Sequence, residues 1–182
     1  YSASPDDAGK TVTLIMTVSS TNTCSPEFAV AEFTVNVDPL PTAVAGGSQT
    51  ICLGGNVTVS EASSSNGAIL WTSDGAGTIT GETTLTPTYF TSEADAGKLV
   101  TLTMTVTSEN NCSPQAATAI YSINVRPAFV SPVVSSSQQI CYSNSASPLV
   151  ATVATGGTGG YIYQWQYSGD GETNWTNIDN EN

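Results

Sequence analysis

Val100-Thr101-Leu102-Thr103-Met104-Thr105-Val106 alternates apolar side chains with threonine without a break. Successive side chains of a strand point to opposite faces. This period of two therefore sends Val100, Leu102, Met104 and Val106 toward a core and turns the threonines to water or a neighbour. Tyr121, Ile123 and Val125 alternate in the same way, as do Val57 and Val59, and Ile69 and Trp71 can share one face of another strand. Turn formers stand between the runs: Gly54-Gly55-Asn56, Ser65-Asn66-Gly67, Asp74-Gly75 and Asn110-Asn111. With no long helical pattern anywhere, strands at this spacing predict an all-β fold of β-sandwich type.

The same run occurs earlier as Val12-Thr13-Leu14-Ile15-Met16-Thr17-Val18, displaced by 88 residues. At that offset Tyr1 falls on Tyr89, Asp7-Ala8-Gly9-Lys10 on Asp95-Ala96-Gly97-Lys98, and Cys24-Ser25-Pro26 on Cys112-Ser113-Pro114. Gln49-Thr50-Ile51-Cys52 answers to Gln138-Gln139-Ile140-Cys141, with one residue gained between. The chain reads as a tandem array with a unit of about 88 residues. Its phase predicts the back half of one unit over 1–39, a complete unit over 40–127, and the front part of a third unit, of a different subtype, over 128–182. A chain cut in mid-unit at both ends is expected to be a window on a longer protein. The proline-marked joints at Asp38-Pro39-Leu40-Pro41 and Arg126-Pro127 predict units strung semi-rigidly in an elongated array.

Composition limits the chemistry. Among 182 residues there are 3 basic and 15 acidic side chains and no histidine, a formal net charge of −12. Lys10, Lys98 and Arg126 cannot form a phosphate-binding patch, so nucleic acid is not an expected partner. Without histidine there is no Ser/His or Cys/His pair for nucleophilic catalysis and no usual zinc ligand. The absence of a long apolar run argues against membrane insertion. The complete unit holds six acidic residues (Glu61, Asp74, Glu82, Glu93, Asp95, Glu109) against Lys98 and Arg126, so the negative charge recurs unit by unit. Such units repel sideways and stay soluble while strung end to end.

Four cysteines, at 24, 52, 112 and 141, suit an oxidising compartment, and no C-x-x-C spacing points to zinc. Cys52 and Cys112 belong to the one complete unit and flank Trp71, so they are the first choice for a bridge. Cys24 and Cys141 would then have their partners outside the chain. The objection is geometric: if Cys52 lies before the second strand and Cys112 after the sixth, they sit at opposite poles, and a bridge between consecutive units is the rival.

The string Pro41-Thr42-Ala43-Val44-Ala45-Gly46-Gly47-Ser48-Gln49-Thr50-Ile51-Cys52 resembles the opening of immunoglobulin-like and PKD-like repeats in giant surface adhesins of gliding bacteria. The order Asp-Ala-Gly-Lys, then V-T-L-T-M-T-V, then Cys-Ser-Pro is similar to the same repeats. Tyr161-Ile162-Tyr163-Gln164-Trp165-Gln166 after its glycine cluster, and Asn174-Trp175-Thr176, resemble a second repeat type in those proteins. The resemblance implies cell-surface filaments exported by the type IX secretion pathway and used in gliding. Two departures from immunoglobulin domains stand out. Leu99 occupies the place of a corner tyrosine, and Cys112 follows its strand instead of lying in it.

Candidate sites are few. Asp6 with Asp7, and Glu93 with Asp95, are carboxylate pairs of the kind a glycosidase uses, but Asp95 is the repeat copy of Asp7 and turn capping explains both. Asp170-Gly171-Glu172 and Asp74-Gly75 could hold calcium but lack an alternating carboxylate ladder. Trp71 and Trp165 are expected in cores. Tyr161, Tyr163, Tyr167 and Trp175 make the third unit the one place where a sugar could stack. Together these features predict a non-catalytic, cofactor-free stalk segment of an extracellular, surface-attached adhesin. Its partners would be neighbouring repeats and possible surface polysaccharide or other cell-surface proteins. The alternatives are carbohydrate-binding accessory domains of a secreted polysaccharide-degrading enzyme, or a self-assembling surface filament subunit.

Overall fold

The computed structural model describes residues 1–23, 27–134, 137–157, 159–171 and 173–178. The chain is all-β. In chain order the strands are β1 (Lys10–Ser19), β2 (Phe28–Val37), β3 (Thr42–Val44), β4 (Gly47–Cys52), β5 (Asn56–Thr58), β6 (Ser63–Ser65) and β7 (Gly67–Ser73). They continue with β8 (Thr78–Thr80), β9 (Thr88–Phe90), β10 (Leu99–Ser108), β11 (Ala116–Arg126), β12 (Gln166–Tyr167) and β13 (Thr176–Asn177). Two single-turn 3-10 segments, Pro5–Asp7 and Glu93–Asp95, precede β1 and β10. The chain divides into two compact units, Tyr1–Val125 and Arg126–Asn182.

The core of the first unit lies between a four-stranded sheet ordered β4-β11-β10-β7 and a three-stranded sheet ordered β5-β9-β8. β10 alternates as the threonine run requires: Val100, Leu102, Met104 and Val106 are at most 1% exposed. Tyr121, Ile123 and Val125 of β11 complete the inner row, and Trp71 of β7, Val57 of β5, Tyr89 of β9 and Val59, just past β5, meet it. Trp71 lies opposite Met104 in the β7–β10 ladder and donates its indole N–H to the Thr84 carbonyl at 3.0 Å. A buried tryptophan with its polar atom satisfied contributes its full apolar area. Gly67 sits where a Cβ would strike the Thr107 backbone, so this closest β7–β10 approach needs glycine.

β1 and β2 repeat β10 and β11 down to the register. Thr11 faces Asn36 and Val12 faces Val35, as Leu99 faces Asn124 and Val100 faces Ile123. Their inner row is open: Leu14 is 36%, Met16 62%, Val18 55% and Phe33 66% exposed. Among the described residues the β1–β2 sheet has no third strand.

In the second unit, antiparallel bridges join Val130 to Thr155 and Val134 to Ala151, and β12 pairs with β13. Gly156, at φ +80°, packs so tightly on Ala128 that any side chain there would collide with its carbonyl. Among the described residues of this unit Ala154 is the buried apolar one, and Val133, Val150, Val153 and Ile162 are exposed.

Candidate functional site

Asp95 is the one buried carboxylate among the described residues, 1% exposed. The 3-10 turn Glu93–Asp95 aims it inward, and three donors meet it. These are the Tyr89 hydroxyl at 2.8 Å, the Ser92 N–H at 2.8 Å and the Ala76 N–H at 2.7 Å. The Tyr89 hydroxyl also accepts from the Gly77 N–H at 2.8 Å. Side chains at Gly75 or Gly77 would collide with that hydroxyl, so both glycines are steric conditions for the knot. Desolvation is the largest influence on Asp95 and pushes its carboxyl up. The Ser92 and Ala76 N–H groups, Tyr89 and the charge of Lys98 outweigh it and hold the group below the ordinary carboxylate range. Burial, and then donation to Asp95, push the Tyr89 phenol above its ordinary value.

The tyrosine that meets this turn is Tyr89, on β9 ahead of it; Leu99, after the turn, is 65% exposed. The first copy keeps the bond: the Tyr1 hydroxyl donates to Asp7 at 2.6 Å, and Asp7 accepts from the Ser4 N–H and hydroxyl at 2.7 and 2.9 Å. Donation from Tyr1, then from Ser4, lowers the Asp7 carboxyl. The signal in the sequence is the paired recurrence of Tyr and Asp six residues apart. Glu93 does not join Asp95 as a second catalytic carboxylate: Asp95 is tied up by its donors, and Glu93 is exposed.

A second cluster pins the joint ahead of residue 40. Asn111 donates from its side chain and its backbone to the Asp38 carboxylate at 2.7 and 3.2 Å, and the Asn110 side-chain amide donates to the Pro39 carbonyl at 3.0 Å. The same turn holds Cys112, whose thiol donates to the Asp38 carbonyl at 3.5 Å.

The expected Cys52–Cys112 bridge is not formed; both are free thiols. The Cys52 turn is tied to Thr91, just before the 3-10 turn that leads into β10, through the Gly54 N–H at 3.0 Å. Cys112 follows the far end of β10. A ten-residue strand spans about 34 Å, against a Cα limit of roughly 7 Å for a disulfide. Cys141 is a free, exposed thiol, and Cys24 lies outside the described residues.

The aromatic residues of the second unit divide. Tyr161 donates its hydroxyl to the Gly156 carbonyl and packs on Phe129 with ring centroids 5.8 Å apart, while the Tyr163 hydroxyl accepts from the Ala154 N–H at 2.9 Å. Both rings are half-buried and hold the backbone. Trp165 is half-buried too, in contrast to the buried Trp71, because an open cavity of about 460 Å³ lies beside it, lined also by Val134, Leu149 and Ile162. Tyr167 and Trp175 are exposed, 59% and 55%.

Neither calcium candidate gathers a ligand set: among the described residues no group of three or more Cys, Asp or Glu side chains converges. Asp74 accepts the Thr101 N–H at 2.7 Å. Asp170 closes its own turn by accepting from Ser168, Thr173 and Asn174. Glu172 lies outside the described residues. Among the described residues no helix is long and apolar enough to cross a membrane.

Residues 130–182 match the model of a family described as a domain of unknown function (DUF8696). Among curated proteins there is no match. A solved structure, a nucleoside hydrolase-related hypothetical protein from Saccharophagus degradans associated with carbohydrate metabolism, is similar at 18% identity and a TM-score of 0.40. The alignment covers 50% of this chain and 26% of that one.

Proposed function

We propose that this chain is a non-catalytic stalk segment of a long, repeat-built cell-surface adhesin, made of immunoglobulin-like β-sandwich units in tandem and serving surface attachment and gliding. The observation that carries this reading is the duplicated ladder: two stretches 88 residues apart pair in one register and end in one Tyr–Asp corner. A reactive site does not need copying along a chain, whereas a spacing element does. The carboxylates support the same reading, since the buried one is held by a tyrosine and two backbone N–H groups at a corner. The pinned Asp38–Pro39 joint suits a filament that transmits force between units. The resemblance to repeats of gliding adhesins supports a location outside the cell, attached to the surface.

Antibodies raised against the chain test the reading on intact source cells. Surface labelling, together with reduced attachment or gliding when the gene segment is deleted, is the expected result. Labelling only after lysis would contradict it.

A second reading, carbohydrate binding, is favoured by exposed Tyr167 and Trp175 and by the open cavity beside Trp165. Glycan-array binding by the whole chain that disappears in Trp175→Ala would support it, and an empty array would leave the stalk role.

A further inference from the structure

Of the four aromatic side chains in residues 40–125, Trp71, Tyr89 and Tyr121 are buried and Phe90 is 42% exposed. Phe90 ends β9, the central strand of the three-stranded sheet, and alternation turns it away from the core that Tyr89 fills. The fold does not require it. At the 88-residue offset Tyr1 repeats Tyr89, yet Ser2 stands where Phe90 stands. The residues that build the corner recur, and this ring does not.

Two ladders fix its neighbours. Asn56 of β5 lies directly opposite Phe90 on one side and Thr78 of β8 directly opposite on the other, so all three side chains share the outer face. Adjacent strands run about 4.8 Å apart, so the row from Asn56 through Phe90 to Thr78 spans roughly 10 Å. Both flanking residues are exposed, and among the described residues neither the Asn56 amide nor the Thr78 hydroxyl has a hydrogen-bond partner. The next row along the strands is Thr58, Thr88 and Thr80, where the Thr58 and Thr88 hydroxyls bond each other at 2.8 Å. No charged residue belongs to β5, β8 or β9, in a chain of net charge −12.

We propose that this face binds a neutral, β-linked oligosaccharide, with Phe90 as the stacking platform and Asn56 and Thr78 as its polar rim. A pyranose with equatorial hydroxyls is apolar across its C–H face and polar around its edge. The patch has the complementary layout, an apolar ring at the centre with an amide on one side and a hydroxyl on the other. The Asn56 amide offers two donors and an acceptor, and the Thr78 hydroxyl a donor and two lone pairs. Size points to a small ligand: three strands of three residues cover only about 150 Å². A protein partner buries roughly 800 Å² per side. Charge points to a neutral one, because the carboxylates elsewhere on the chain repel acidic sugars. The site is separate from Tyr167 and Trp175, and it does not depend on the stalk reading.

The test is an amide NMR titration of the whole chain with cellohexaose, carried into the millimolar range. Saturable shifts should centre on Asn56, Thr78, Thr88 and Phe90 and leave Thr103 and Thr118 of the other sheet unmoved. Phe90→Ala should weaken binding at least about tenfold and Asn56→Ala about threefold, while Phe90→Tyr keeps the platform and retains binding. Both side chains face outward, so thermal unfolding of the 40–125 core checks that each variant is folded. Trp175→Ala should bind as wild type does. Hexagalacturonate, of the same length but charged, should cause no shifts. A titration without saturable shifts from cellohexaose would overturn the proposal. So would shifts confined to residues 160–178, a Phe90→Ala chain that binds as wild type does, or equal binding of hexagalacturonate.

Discussion

β10 and β1 carry almost the same sequence, pair with their partners in the same register, and meet opposite fates. Met104 is fully buried and Met16 is 62% exposed. The difference is not in local propensity, because the inner apolar row, the register and the corner bond are common to both. What differs is the surroundings: Trp71 flanks β10 in its own sheet, and Tyr89, Val57 and Val59 cover β10 and β11 from the other side. Strand pattern specifies which side chains can form a core, but burial of that row against a second layer is what stabilises it. An uncovered two-stranded hairpin is marginal in water.

The sharpest way to break the comparison is to truncate the same side chain in both copies. Met104→Ala should cost about 3 kcal/mol in denaturant unfolding, since it empties a fully buried volume. Met16→Ala at low concentration should change stability by less than about 0.5 kcal/mol. Equal losses would mean that the hairpin is covered after all.

The corner comes next. Asp95→Asn should cost about 2 kcal/mol, because it removes a buried charge that three donors face. Asp95 is depressed in the fold, so its stabilisation is complete above the ordinary carboxylate value near 3.8 and is lost as pH falls through the lower, folded value. Acid titration of stability should therefore flatten in Asp95→Asn. Asp7→Asn, at the exposed copy, should leave the acid limb of the 40–125 core unchanged.

Tyr89→Phe should cost about 1 kcal/mol by leaving the Gly77 N–H without its acceptor. Because the Tyr89 phenol is raised in the fold, its contribution is present below pH 10.0, its ordinary value, and fades as pH rises through the higher folded value. The smallest effect belongs to the joint. Asp38→Ala should lower stability by less than about 1 kcal/mol while speeding amide exchange at Asn111.

Much of this was legible in the residues. The threonine alternation of Val100–Val106 marks β10 and its inner face, and the 88-residue offset marks the duplicated hairpin together with its register. The Tyr89–Asp95 bond was not, because it depends on a 3-10 turn folding the carboxylate back across a six-residue separation. The same repetition that supplied the register held the clue, in Tyr1 and Asp7. Counting cysteines within one unit suggested a pair, yet β10 holds Cys52 and Cys112 at opposite ends. In the third unit Trp165 is expected in the core, on a strand. Next to it in sequence only Gln166 and Tyr167 form one, since a strand lasts only as far as a partner edge and a covering layer extend.

Native-state hydrogen exchange on the whole chain at low micromolar concentration tests the central claim most directly. Amides of Leu102, Met104, Ile123 and Val125 should exchange only through global unfolding of the core, while their copies Leu14, Met16, Val35 and Val37 exchange orders of magnitude faster. Equal protection in the two hairpins would contradict the account, because it would show that register and alternation stabilise this strand pair without a covering sheet.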